Sequence, residues 1–279
     1  MADPGKLFLV ATPIGNLADI TARALETLQR VTFVVCEDTR HSRILLEHYR
    51  LRKETVSLPA FAEAQRAGPI LDRIAAGQDC ALITDAGSPG ISDPGEKLVA
   101  GALERGIAVH PIPGPSALVA ALSASGLPTS RFHFLGFLPR KAGEQQRVLD
   151  QLKSLRATLV VYESPRRVPQ TLRAIRQALG NRRACIAREL TKVHEEFLRG
   201  TLDRLIEDCD RQELRGEVVV IVEGQHAKVR WSDEEMINAL RTSLESTERL
   251  KDIARNLSRD SGWSAQEIYR LGLSLKEPS

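Results

Sequence analysis

Three loops rich in glycine and proline carry the first chemical signal in this sequence. They are Thr12-Pro13-Ile14-Gly15-Asn16, the eleven-residue stretch DAGSPGISDPG at 85–95, and Pro113-Gly114-Pro115-Ser116-Ala117. Each follows a short apolar run that reads as a β-strand, at 7–11, 80–84 and 108–112. In a parallel sheet the carboxyl ends of the strands share one edge, and that edge is the usual ligand crevice. Glycine-rich loops there present backbone N–H groups, and helices begin beside them. A pocket built this way suits a carboxylate or a phosphate. Glycine and proline also punctuate ordinary turns, so one such loop decides nothing. Three at the same ends of three strands favour a ligand site. The GxxxxGK[ST] and GxGxxG phosphate motifs are absent, which lowers the weight of nucleotide triphosphates and nicotinamide cofactors. The six histidines form no HExxH and the four cysteines no CxxC, so no metal site is expected.

The elements that must position these loops follow from the alternation of the chain. Strand-like runs at 7–11, 32–36, 80–84 and 108–112 alternate with helical patterns at 20–29, 42–49, 69–76 and 95–104, which predicts βα units and a mostly parallel sheet. Strand-like runs resume at 132–135, 159–162, 184–187 and 218–222, separated by helical stretches at 143–155 and 168–179. The fold class is therefore α/β, with an N-terminal α/β domain over 1–125, a second over 126–226 and a helical appendage over 227–279. In the appendage Leu250, Ile253, Ala254 and Leu257 follow helical spacing, and Ser264 with Glu267 reads as a capping box opening a last helix over 265–271. Two short helices around Ser261-Gly262 have a helix-turn-helix look. Seven basic and nine acidic residues over 231–279 weigh against strong DNA binding and leave partner binding or dimer packing equally open.

Composition sets the class. The chain has 279 residues, enough for two domains at about 150 residues each. Its 42% hydrophobic and 27% charged residues exclude a disordered tail, a collagen-like chain and a disulfide scaffold. No apolar run approaches the about 18 residues of a membrane span. The opening MADPGKLFLVATPIGN is too short and wrongly flanked for a signal peptide. Cys36, Cys80 and Cys185 lie in or beside apolar runs and, with Cys209, read as free thiols, which fits a reducing cytoplasm.

Eight segments in order then make a specific match: VATPIGNLADIT, CEDTRHS, ITDAGSPGISDPG, PIPGPSALVAALSASGLP, GFLPRK, VYESPRRV, ARELTKVHEEFLRGTL and RGEVVVIVEG. With their spacing, they resemble the ribosomal RNA small subunit methyltransferase I family, a branch of the tetrapyrrole methylase superfamily, over about 6–224. The resemblance implies S-adenosylmethionine (SAM) as cofactor and the ribose 2′-hydroxyl of a cytidine in small-subunit ribosomal RNA as acceptor. The RNA would be met free or in the assembled small ribosomal subunit. It also implies two α/β domains with the cofactor in the cleft between them, and a homodimer.

Carried over by motif, Asp85, Ala86, Gly87, Ser88 and Ile91 would hold the methionine end of SAM, with Ser116 and Ala117 beside them. Pro13 would border the cleft floor, and Phe137 and Leu138 would pack on the cofactor. Leu190, Thr201, Gly216, Glu217 and Val218 fall in the segments that form the adenine pocket, although Leu138 and Val218 suit a core equally well. A ribose hydroxyl is a poor nucleophile, so a positioned base would help. The candidates for base or orienter are Glu37, Asp38 and Arg40 in EDTR, Glu163 in YESPRR, and Glu189 with Lys192 in RELTK. Lys192 qualifies as a base only if burial or neighbouring cations depress its pKa; otherwise it is a phosphate or hydroxyl contact.

The net charge of +3 hides an uneven distribution. Residues 139–188 hold twelve basic and three acidic side chains, a net of +9. Such a bias suits phosphate binding, with Arg140, Lys141, Arg166 and Arg167 as the leading RNA contacts and Phe132, Phe134 and Phe137 near enough to stack bases. The sequence departs from the family at its usual HxHNE stretch, which here reads Pro59-Ala60-Phe61-Ala62-Glu63, so only the final Glu remains. Two other functions stay open: a SAM-dependent methyltransferase of small tetrapyrrole precursors, and a non-catalytic RNA-binding module for ribosome assembly.

Overall fold

The computed structural model describes residues 3–225, 231–244, 248–258 and 261–276. The first half runs β1 (Leu7–Val10), α1 (Ala22–Arg30), β2 (Phe33–Cys36), α2 (Thr39–His48), β3 (Glu54–Ser57), α3 (Glu63–Ala75), β4 (Cys80–Ile83), α4 (Glu96–Glu104), β5 (Val109–Ile112) and α5 (Ala117–Ala124). Its five strands form one all-parallel sheet in the order β3-β2-β4-β1-β5. Helices cover both faces of such a sheet, so its inner strands must be apolar on both sides. FVVC in β2 and CALI in β4 are accordingly buried at every position. One face packs Leu7, Phe33 and Leu82 under α3 and α4, and the other packs Phe8, Val34 and Ile83 under α1.

The second half runs β6 (Phe132–Phe137), α6 (Ala142–Gln151), β7 (Thr158–Glu163), α7 (Val168–Leu179), β8 (Arg183–Arg188), β9 (Glu196–Thr201), α8 (Leu202–Arg211) and β10 (Val218–Val222). This sheet, ordered β6-β7-β10-β8-β9, is mixed: only β6 and β7 are parallel and the other pairs are antiparallel. β3, β9 and α8 are elements the sequence reading does not single out. β3 is the polar edge tetrapeptide ETVS, and β9 interrupts its apolar residues with Arg and Gly. The link between the halves is α5, apolar on nearly all sides, whose Ala121 and Leu122 pack with Ile14 against Val160, Cys185 and Val219 of the second sheet. All four cysteines are free and buried.

Contacts divide the chain into a unit over 1–223, which contains both sheets, and a unit over 224–279. The second unit holds three helices among its described residues, α9 (Asp233–Leu244), α10 (Leu250–Ser258) and α11 (Ala265–Lys276), around Met236, Leu240, Ile253 and Ile268. The capping box at α11 is present: Glu267 N–H donates to Ser264 Oγ at 3.2 Å and Ser264 N–H to Glu267 Oε2 at 2.8 Å. α9 carries the same device through Ser232 and Glu235 and is a third helix where the sequence reading gives two. Among the described residues no helix is long and apolar enough to cross a membrane.

Candidate functional site

β4, β1 and β5 are neighbours, so the three glycine- and proline-rich loops leave the sheet side by side. Two of them are joined by a backbone bridge: Thr12 N–H donates to Gly87 O at 2.9 Å, and Gly87 N–H returns to Thr12 O at 3.0 Å. The Thr12 hydroxyl donates to Thr84 O at 3.0 Å. Gly87 sits at φ +85°, where a side chain would be strained. These loops face second-half residues across a cavity of ≈460 Å³, a size typical of small-molecule sites.

The first half contributes Asp85, Ala86, Gly87, Ser88, Ile91, Ser116 and Ala117 to this cavity, together with Glu37. The second half contributes Phe137, Glu163, Leu190, Gly216, Glu217 and Val218. Ile14, rather than Pro13, is the residue of the first loop that faces it. Pro13 lines an adjoining cavity of ≈290 Å³ with His41, Lys192 and Asp85. Leu138 is 2% exposed and packs in the second-half core instead. Thr201 caps α8, its Oγ1 accepting from Arg204 N–H, and does not line the cavity. The sequence reading missed Ser92, Asp93, Tyr162, Ser164, Pro165 and Val219. For Asp93 the signal was present, an acid inside the glycine-rich loop, but the DPG tripeptide reads as a plain turn.

The carboxylates differ in what they meet. Asp85 Oδ1 is buried without a hydrogen-bond partner among the described residues. Burial pushes the Asp93 carboxyl up to about 7, with the charges of Glu37 and Asp85 adding to it. Burial also raises Glu37, helped by Asp85 and Asp38. Asp38 goes the other way, held at about 2 by its hydrogen bonds from Arg40, and it caps α2. Glu163 is buried and fully engaged, accepting from Ser164 N–H at 2.8 Å and Thr171 Oγ1 at 2.7 Å, with Arg167 at 3.4 Å.

Lys192 does not meet the condition set for a base. Burial alone would lower its pKa, but Glu189 at 2.9 Å and Glu217 at 3.2 Å raise it overall, so it stays charged. Burial works to raise Glu189 in turn, yet bonds from Lys192 and Glu217 N–H bring it below its ordinary value. This trio lies at a tight seam between the halves. A Cβ on Gly15 would fall 2.7 Å from Leu190 O, and one on Gly216 would overlap the Glu189 carboxylate.

The basic residues separate too. Arg167 donates to Leu138 O at 3.1 Å and Pro139 O at 3.4 Å, so this leading RNA candidate is built into the second half. Lys141 pairs with Glu144 at 3.3 Å but stays exposed. Arg140 and Arg166 are exposed, with no ion pair among the described residues, and Arg166 directly follows Ser164 and Pro165 of the cavity wall.

The tetrapyrrole (corrin/porphyrin) methylase profile matches residues 6–206. Ribosomal RNA small subunit methyltransferase I of Mesorhizobium japonicum is 47% identical over 277 residues, 98% of this chain and 93% of that one. The chain belongs to this family of methylases. Its relative of the same name in Thermotoga maritima is 44% identical over 221 residues, 79% of this chain and 99% of that one. The methylase profile ends before α9, so the three-helix unit lies outside it. The same fold is seen in uroporphyrin-III C-methyltransferase from Thermus thermophilus complexed with S-adenosylhomocysteine, with a TM-score of 0.59, 20% identity, and coverage of 78% of this chain and 97% of that one.

Proposed function

We propose that the chain methylates the 2′-hydroxyl of a cytidine ribose in small-subunit ribosomal RNA, using SAM, in the cytoplasm. The observation that carries this reading is the cavity at the glycine-rich loops, with the partnerless Asp85 oxygen on its wall. The names of the curated relatives support the ribosomal acceptor.

The residues present fit the cofactor. Asp85 offers an unused acceptor for an ammonium or hydroxyl group, and a buried carboxylate without a partner is costly unless a ligand supplies one. Ser116 does not cap the first turn of α5, where Leu118 N–H donates instead to the Tyr162 hydroxyl at 3.1 Å, and Ser116 and Ala117 present the positive end of the helix to the cavity beside it. Ala86, Ile91, Leu190 and Val218 give apolar walls. When bound, SAM supplies an activated methyl group, so the protein's task is alignment and removal of the hydroxyl proton.

Asp93 is the group suited to that proton. Its proton affinity near neutral pH matches what a general base needs, whereas Asp38, Glu163 and Glu189 are held by partners. Glu37 lines the same cavity, and its charge adds to the rise of the Asp93 carboxyl. Arg166, with Arg140 and Lys141, supplies exposed cations for the RNA backbone.

The test is incubation with radiolabelled SAM and small ribosomal subunits, followed by nuclease digestion. Label is expected at one ribose. Label in no RNA despite cofactor binding would transfer the reading to a small-molecule acceptor, and absence of cofactor binding would end it. Asp85→Ala should weaken S-adenosylhomocysteine binding by calorimetry by about ten- to a hundredfold, the worth of a charged hydrogen bond, and leave RNA retention unchanged. Equal loss of both would contradict the placement of Asp85.

A further inference from the structure

Glu63 is the first residue of α3, far in sequence from every cavity-lining segment, and is only 6% exposed. Its Oε1 accepts three backbone hydrogen bonds, from Gly95 N–H at 3.0 Å, Lys97 N–H at 2.9 Å and Leu98 N–H at 3.0 Å. These are the otherwise unsatisfied donors at the start of α4, which a capping side chain normally takes. Gly95 holds the capping position without a side chain to do it. Nor is another residue accommodated there: φ is +140°, and a Cβ would lie 2.9 Å from Leu82 Cδ2 and 3.3 Å from Gly90 N. The cap must therefore come from another element, and α3 provides it as a buried carboxylate set against the positive end of the helix.

The location gives this cap its meaning. Gly95 closes the 85–95 loop, and Asp93 is two residues before it. The other end of the loop has its own anchor, the Thr12–Gly87 bridge with Thr84 Oγ1 donating to Gly87 O at 3.3 Å. Between the anchors the backbone bonds among the described residues are long, Gly90 N–H to Pro94 O at 3.3 Å and Ile91 N–H to Ser88 O at 3.4 Å, and Ser92 sits at φ +64°. The entry anchor holds Gly87, two residues after Asp85, and the exit anchor begins at Gly95, two residues after Asp93.

The structure assigns to Glu63 the part of a positioning residue, one that holds the exit end of the cavity loop by capping α4 and so sets where Asp93 stands. Glu63 does not line the cavity, and it acts through the backbone of residues 95–98. It is also the one residue of the HxHNE stretch that this chain keeps, which separates the Glu from its polar companions as a structural device in its own right. The inference rests on the reading of the cavity as a methyl-transfer site.

Two variants test it, Glu63→Ala, which removes the cap, and Glu63→Gln, which keeps an acceptor oxygen in place without the charge. In Glu63→Ala, kcat for methylation of small ribosomal subunits should fall by about 10²-fold, the cost of a displaced reacting group, while the KM for subunits and the Kd for S-adenosylhomocysteine change by less than about threefold. Glu63→Gln should recover most of that loss. Amide hydrogen exchange should show lost protection confined to residues 90–98 in Glu63→Ala and partial protection in Glu63→Gln. Should Glu63→Ala fail to fold, Glu63→Gln alone decides, with faster exchange at Gly95, Lys97 and Leu98 and a modest drop in kcat expected. Unchanged exchange at those amides, or a fall in kcat matched by an equal fall in cofactor affinity, would overturn the positioning role. The exchange arm needs no turnover, so it still decides the anchoring if the wild-type chain leaves ribosomal RNA unlabelled, a result that would instead overturn the proposed function.

Discussion

The cavity edge of the parallel sheet and the body of the mixed sheet treat their charges in opposite ways. At the carboxyl edge of the parallel sheet, Glu37, Asp85 and Asp93 crowd one cavity wall, and none of them has an ion pair among the described residues. In the mixed sheet and its helices, cations are matched to acids from later in the chain: Arg173 to Asp210, Arg176 to Asp203, Arg183 to Glu223 and Arg188 to Glu196. At the cavity edge burial lifts the Glu37 and Asp93 carboxyls above the usual carboxylate range, as at sites of proton transfer. The second half thus neutralises part of its excess and leaves exposed cations such as Arg140 and Arg166 for a partner. A charge counted along a sequence window therefore says little until the opposing element is known.

Asp93 offers the hardest test of the first half. Asp93→Asn should lower single-turnover methylation by about 10²- to 10⁴-fold, the usual weight of a general base. In the wild type the rate should rise with pH through about 7, and that limb should vanish in the variant. Stability should move the other way. The native carboxyl binds its proton more tightly than the unfolded one, whose pKa is near 3.8, so stability falls as pH rises from about 4 to 7. Melting at pH 5 and pH 8 should differ less in Asp93→Asn than in the wild type. An unchanged rate profile would remove Asp93 from the chemistry.

Two adjacent arginines test the second half with smaller effects. Arg167→Ala strips a charged partner from buried Glu163 and leaves two carbonyls with one donor fewer, so urea unfolding should show a loss of about 2 kcal/mol. Binding of ribosomal RNA to the folded variant should be little changed. Arg166→Ala should do the reverse: stability within about 0.5 kcal/mol of wild type, and a slope of log affinity against log salt shallower by about 1. If the two exchange outcomes, the contrast between neutralised and available cations collapses.

The loops were legible because their residue types are dictated by backbone geometry. Gly87 needs its positive φ, the strands before the first two loops are continuous apolar runs, and both facts are local. The Arg167 contacts were illegible because Leu138 and Pro139 lie on another strand's exit, and no property of the YESPRR segment names them. Asp93 hid because the DPG tripeptide reads as a plain turn, while Glu37, whose charge acts on it, lies far away in sequence. Thr201 misled because a Thr at the end of a strand serves equally as a helix cap. Leu138 misled because one position beyond Phe137 the strand turns its side chains to the core.

The burial of every cysteine has a practical side. Cys36 and Cys80 lie in strands of the parallel sheet, and Cys185 and Cys209 lie in β8 and α8 of the other half. Burial raises all four thiols above their ordinary pKa, so little thiolate meets a reagent while the chain is folded. The protein thus contains its own paired clocks: the alkylation rate of each pair times the opening of one sheet independently of the other.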